Sequence, residues 1–277
     1  PGGQERARGR RAFVSARGHA RVDALERVAA LTSELWLIDL DRESPALEDA
    51  ERRLPRLSDE EVARGDSLKD TAQRARWRAA HIGLRLLLER WSGAGVRKQR
   101  FEIAEGGRPF LPLPSPYFSL SHSAGAALIA LSGHGPIGVD IEVVAPAKMP
   151  AQRRQNLEAL AEALAVAPLA CDGDARLVQA WTRIEALGKL DGHGIGRLLT
   201  RTGIVGGGPL RLDYALPDAP DEARAEAMNT GDAAAARSCP GYRIRDIAMG
   251  AVPLSGVASG GLASGDSAGA AALVDAT

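Results

Sequence analysis

Cysteine is almost missing from this chain: Cys171 and Cys239 stand alone, far apart. Two isolated thiols without metal-ligand spacing argue against a disulfide framework and a thiolate metal site, and point to reduced thiols in a cytoplasmic protein. Aromatic residues are only 4% of the chain, so each Trp is expected to anchor a core. Neither sign of charge is in excess, because 35 Lys and Arg balance 35 Asp and Glu. That balance leaves no global basic field for nucleic acid. No apolar run approaches the roughly 20 residues that span a bilayer, so no membrane partner is expected. Short-period repeats of the solenoid kind are also absent. What remains is an ordinary globular composition, 45% apolar and 25% charged, on 277 residues. One large domain or two modest ones would fit that length.

The two ends lack core patterning. Residues 1–30 are Arg-rich, with no apolar segment of the secretory type, and read as a disordered or non-core extension. Residues 253–277 are mostly Gly, Ser and Ala and read as a disordered tail. Between them, Leu35 to Leu40 predicts a first strand, closed by a turn over Asp41 to Pro45. Ser58 with Glu61 three residues on predicts a capping box at a helix start. Trp77, Ala80, Leu84, Leu87, Leu88 and Trp91 recur at helical spacing and predict a core stripe, with Arg76 and Arg85 on its solvated edges. Gly106-Gly107-Arg108-Pro109 predicts a turn. Tyr117 to Leu120 reads as a short strand, Ser121-His122-Ser123 as a loop, and Ala126 to Ser132 as a buried strand joined by a hairpin to the next. Later strands are expected at Gly203–Val205, Leu210–Leu216 and Tyr242–Ala248.

The chemistry centres on Pro136-Ile-Gly-Val-Asp-Ile-Glu142. A strand has a side-chain period of two, so Ile137, Val139 and Ile141 take one face while Asp140 and Glu142 share the other. Two carboxylates so close repel, and a hard divalent cation such as Mg²⁺ would offset the cost. A lone Asp-x-Glu is by default a solvated acidic strand. A second signal lies downstream: Trp181, Glu185 and Lys189 at i, i+4, i+8 share one face of a predicted helix that Gly192 and Gly194 end. Alone, such a Glu/Lys pair is usually a surface ion pair.

In order, Gly107-Arg108-Pro109, Phe118-Ser-Leu-Ser-His-Ser123, Ile137-Gly-Val-Asp-Ile-Glu142 and Trp181-Thr-Arg-Ile-Glu-Ala-Leu-Gly-Lys189 with Gly192 and Gly194 resemble the surfactin-synthetase type of 4′-phosphopantetheinyl transferases. The resemblance runs from about Leu35 to Tyr242 and is most specific in the middle. It implies an α+β fold of two similar α/β halves related by a pseudo-twofold, residues 31–134 and 135–252, with the active site at their interface. It implies a holo-[acyl-carrier-protein] synthase type of enzyme: Mg²⁺-dependent transfer of 4′-phosphopantetheine from coenzyme A to a serine of an acyl or peptidyl carrier protein, releasing 3′,5′-ADP. By resemblance Asp140, Glu142 and Glu185 hold the metal. Glu185 and Lys189 are catalytic, and Arg76, Arg108, Ser121, His122 and Lys189 bind coenzyme A, with Arg64 as a further candidate. A monomer in the cytoplasm is implied, serving fatty acid, polyketide or nonribosomal peptide biosynthesis. The chain departs from the family pattern at Ile184, where Lys is usual, with Arg183 beside it as a substitute cation. Two other readings remain open: a coenzyme A or carrier-binding module without turnover, and a Mg²⁺-dependent phosphoesterase.

Overall fold

The computed structural model describes residues 33–212, apart from 113, 114, 134, 166 and 207, together with strands at Tyr242–Ile247 and Gly269–Ala276. The expectations for residues 1–30 and for most of the tail lie outside the described residues.

The first strand, β1 (Ser33–Asp39), leads directly into a helix, α1 (Leu40–Arg53), where a turn was expected. Asp39 is the reason: its carboxylate accepts from the Arg42 N–H at 3.1 Å and caps the helix. Ser58 and Glu61 form the expected capping box on α2 (Asp59–Asp66). The long helix α3 (Thr71–Ser92) buries Ala80, Leu84, Leu87 and Leu88 as its stripe predicts. Arg85 departs from expectation. It is 1% exposed, its guanidinium bonds Glu61 and it stacks over Phe101 at 3.8 Å. The capping Glu61 supplies the countercharge that lets an arginine leave solvent.

Sheet one has the order β1-β5-β4, all antiparallel, with β4 at Tyr117–Ser123 and β5 at Ala126–Ser132. Ser121-His122-Ser123 is the end of β4 and not a loop, paired to Leu128, Ala127 and Ala126. Along β5, Ala127, Ile129 and Leu131 pack toward α1 and α3, whereas Leu128 and Ala130 meet Ile137, Val139 and Ile141 of β6 (Ile137–Val143). The expected hairpin between β5 and β6 does not form. Both edges of β5 are taken by β1 and β4, so no edge is left for β6.

Sheet two has the order β6-β8-β7, with β7 at Tyr242–Ile247 and β8 at Gly269–Ala276. Residues 269–276, read from sequence as part of a tail, are thus its central strand. The segment reads Gly-Ala-Ala-Ala-Leu-Val-Asp-Ala, with only Leu273 and Val274 large and apolar, too short a run to signal a strand, whereas backbone hydrogen bonds to two neighbours do not require large side chains. The last helices are α4 (Ala151–Ala163), α5 (Gly173–Asp191) and α6 (Gly194–Arg201). Gly203–Val205 is a turn rather than a strand, with Gly203 and Gly206 at φ 77° and 95°; of the strand expected at Leu210–Leu216, 210–212 carry no regular structure and the rest lies outside the described residues. None of the described helices is long and apolar enough to cross a membrane.

Helix α5 lies on β6 and β8. Gly138 permits the closest approach: a Cβ there would stand 2.1 Å from the Ala186 carbonyl oxygen. The even-numbered face of β6 is thereby pressed onto α5, and this contact builds the site.

Candidate active site

Alternation along β6 turns Asp140 and Glu142 toward α5, and helical spacing turns Glu185 and Lys189 toward β6. One carboxylate oxygen from each of Asp140, Glu142 and Glu185 lies within 4.8 Å of the others. Asp140 is fully buried. Its Oδ1 accepts from Lys189 Nζ and from Ser121 Oγ, both at 2.7 Å, while its Oδ2 has no hydrogen-bond partner. An orphaned buried carboxylate oxygen facing two further carboxylates fits a hard divalent cation, which takes oxygen ligands. Lys189 also lies 3.9 Å from Glu185.

The electrostatics follow from crowding. Glu142 is raised above its ordinary value of 4.5, first by burial, with the Asp140 charge adding and the Ser123 hydroxyl opposing. Glu185 is raised too, by burial and then Asp140, with Lys189 and Trp181 opposing. Both carboxylates hold protons more tightly than in water, the property required of a group that accepts one.

Beside the cluster, β4 presents two different faces. Ser119, Ser121 and Ser123 turn to β6: Ser119 Oγ accepts from Val139 N–H at 3.0 Å, and Ser123 Oγ donates to Glu142 at 2.8 Å. Phe118, Leu120 and His122 turn the other way, into an open-mouthed cavity of about 490 Å³ lined also by α3, the hairpin β2 (Glu102–Ile103) and β3 (Pro109–Phe110), and the end of α5. Lys189 lines it as well, so cavity and carboxylate cluster share a wall. The hairpin is clamped to α5: Arg108 donates to the Leu190 carbonyl at 2.9 Å, and bare Gly106 sits where a Cβ would be 2.4 Å from Gly192 O. Burial, then the Lys189 charge, lowers the His122 imidazole below its ordinary value.

The structure therefore gathers Asp140, Glu142, Glu185, Lys189, Ser121, His122 and Arg108 in one region. Arg76 is instead held by Asp41, bonded through Nε at 2.7 Å and Nη2 at 3.0 Å, and does not line the cavity. Arg64 is exposed on α2 and does not line it either. Arg183 cannot replace a missing lysine. It is 1% exposed, bonded to Asp246 at 2.9 Å through Nε and to carbonyls of Ala161, Ala167 and Pro168. Ile184 is fully buried in the core that α4, α5 and α6 share, so position 184 points away from the cluster. His81 and Glu61 line the cavity unforeseen. The available signal for His81 was its i+4 spacing from Trp77.

No protein-family model matches the chain. It is similar to the Synechocystis protein named "Putative 4′-phosphopantetheinyl transferase slr0495", 30% identical over 166 residues. The match takes in 58% of this chain and 65% of that protein, so the chain spans under two thirds of the relative's length.

Proposed function

We propose that the protein transfers 4′-phosphopantetheine from coenzyme A to a serine hydroxyl of an acyl or peptidyl carrier protein, releasing 3′,5′-ADP, as a surfactin-synthetase-type transferase. The observation that carries this reading is the three-carboxylate cluster with the orphaned Asp140 Oδ2, sharing Lys189 with a nucleotide-sized cavity. The similarity to the Synechocystis protein supports it.

In this reading Asp140, Glu142 and Glu185 would hold Mg²⁺, which when bound neutralises charge on the coenzyme A pyrophosphate. The acceptor serine oxygen bonds to the β-phosphorus, and the phosphoanhydride bond to 3′,5′-ADP breaks. Glu185, raised by burial, receives the serine proton, directly or through water. Lys189 turns its ammonium from Asp140 toward the phosphates, and Arg108 and His122 bind phosphate oxygens from the cavity wall. Ser121 aligns Asp140. The two units of a three-stranded sheet with a long helix are read as the pseudo-twofold halves, meeting near residue 134. A cytoplasmic monomer without nucleic-acid or membrane partners completes the reading.

The test incubates the protein with coenzyme A, Mg²⁺ and several apo-carriers and follows carrier mass and nucleotide release. A phosphopantetheine increment on a serine, with 3′,5′-ADP formed in equal amount, is expected. Free phosphopantetheine without any carrier would make the protein a phosphoesterase. Binding of coenzyme A without 3′,5′-ADP would make it a binding module.

A further inference from the structure

The cavity is polarised in its hydrogen-bonding groups. Its α5 end carries donors, Lys189 and Arg108. The α3 end carries Leu84, Phe101 and Phe118 with two acceptors, the Glu61 carboxylate and the His81 imidazole. Glu61 is already engaged by Arg85 and the Ser58 N–H.

His81 is held in one state. Its Nδ1 lies 2.9 Å from the Trp77 carbonyl oxygen, which can only accept, so Nδ1 carries the proton. The ring stacks on the Trp77 indole with centroids 3.7 Å apart. Trp77 is backed in turn by the bare backbone of Gly65, where a Cβ would lie 3.2 Å from the indole. Burial keeps the imidazole neutral, pushed down to about 4. With Nδ1 protonated and the ring neutral, Nε2 is a lone-pair acceptor.

We infer that the α3 end of the cavity selects a 6-aminopurine, His81 Nε2 accepting an N–H from the exocyclic amine while the base lies among Leu84, Phe101 and Phe118. A 6-oxopurine would set its carbonyl oxygen against the same lone pair, two acceptors with no proton between them. The inference rests on the coenzyme A reading and adds how that donor's base is chosen. Phosphate binding alone would not distinguish the two bases.

The experiment has two arms. Calorimetry compares adenosine 3′,5′-bisphosphate with inosine 3′,5′-bisphosphate on the whole protein, and transfer assays compare coenzyme A with its 6-oxo analogue. One buried acceptor left unpaired predicts a preference for the amino compound of about tenfold or more in both. His81→Leu should bring that ratio close to one by weakening the amino compound, whereas His81→Gln, whose amide oxygen can accept, should restore part of it. Thermal melts check that both variants fold, and the wild-type comparison needs no variant. Equal affinity of the wild-type protein for both bisphosphates would overturn the inference and leave the transferase reading standing. A wild-type preference that survives in folded His81→Leu would also overturn it. Failure of both bisphosphates to bind would remove the nucleotide from this cavity and both readings with it.

Discussion

Asp140 has one oxygen bonded to Lys189 and Ser121 and one bonded to nothing. An ion there should stabilise the folded state by mass action. Mg²⁺ with coenzyme A is expected to raise the melting temperature of the wild-type protein, and Asp140→Asn to lose that rise together with transfer. An equal rise in both proteins would show that Asp140 is no ligand. Protons compete with the ion for Glu142 and Glu185, whose folded values lie above 4.5, so the rise should shrink as pH falls toward that value. His81 bears on acid stability with its own sign. Its value falls from 6.5 to about 4 on folding, so the unfolded chain takes up a proton that the folded state refuses. The contribution is present above pH 6.5, lost as pH falls through about 4, and worth roughly 3 kcal/mol. Denaturant titrations of His81→Gln against wild type should show a smaller loss over this window; parallel curves would contradict the shift.

At the level of elements, two contacts decide whether the site exists. Gly138 lets β6 press on α5, and its replacement by Ala puts a methyl 2.1 Å from a backbone oxygen that no rotamer can move. Separation of strand from helix should cost about 1–3 kcal/mol and draw Asp140 away from Lys189. Chemical denaturation and Mg²⁺ titration of Gly138→Ala should therefore fall together; a stable variant with unchanged metal affinity would show that the contact is loose. Arg108 fastens the hairpin to α5 through Leu190 O. If it also binds phosphate, Arg108→Ala should raise KM for coenzyme A roughly ten- to hundredfold, more than it lowers kcat. An unchanged KM would leave Arg108 a clamp alone.

On the scale of the whole molecule, sheet two depends on a strand near the end of the chain. β8 lies between β6 and β7, so removing residues 269–276 would strip β6 of its only backbone-paired neighbour among the described residues. Its other flank is met by the serine hydroxyls of β4. A chain ending at 268 should lose its cooperative melting transition and bind no Mg²⁺, whereas one ending at 276 should keep both. Retention of both properties by the shorter chain would mean that β8 is dispensable.

The local patterns were readable before any fold was known. Period-two alternation already turned Asp140 and Glu142 to one face, and i, i+4 spacing already aligned Glu185 with Lys189. The Ser58–Glu61 capping box was equally plain, because each of these features arises from residues a few positions apart. Partners distant in sequence were not readable. Arg85 looked like a solvated edge residue until Glu61, 24 positions away, was found beside it, and Arg183 looked like a spare cation until Asp246 and three carbonyls enclosed it. The end of the chain looked structureless because Leu273 and Val274 stand alone among small residues in a Gly-, Ser- and Ala-rich stretch, whereas β8 is joined to β6 and β7 through the backbone. Burial and countercharge are properties of the neighbours a side chain acquires on folding, and those neighbours are chosen by the packing of β6 on α5 and of β4 against β6.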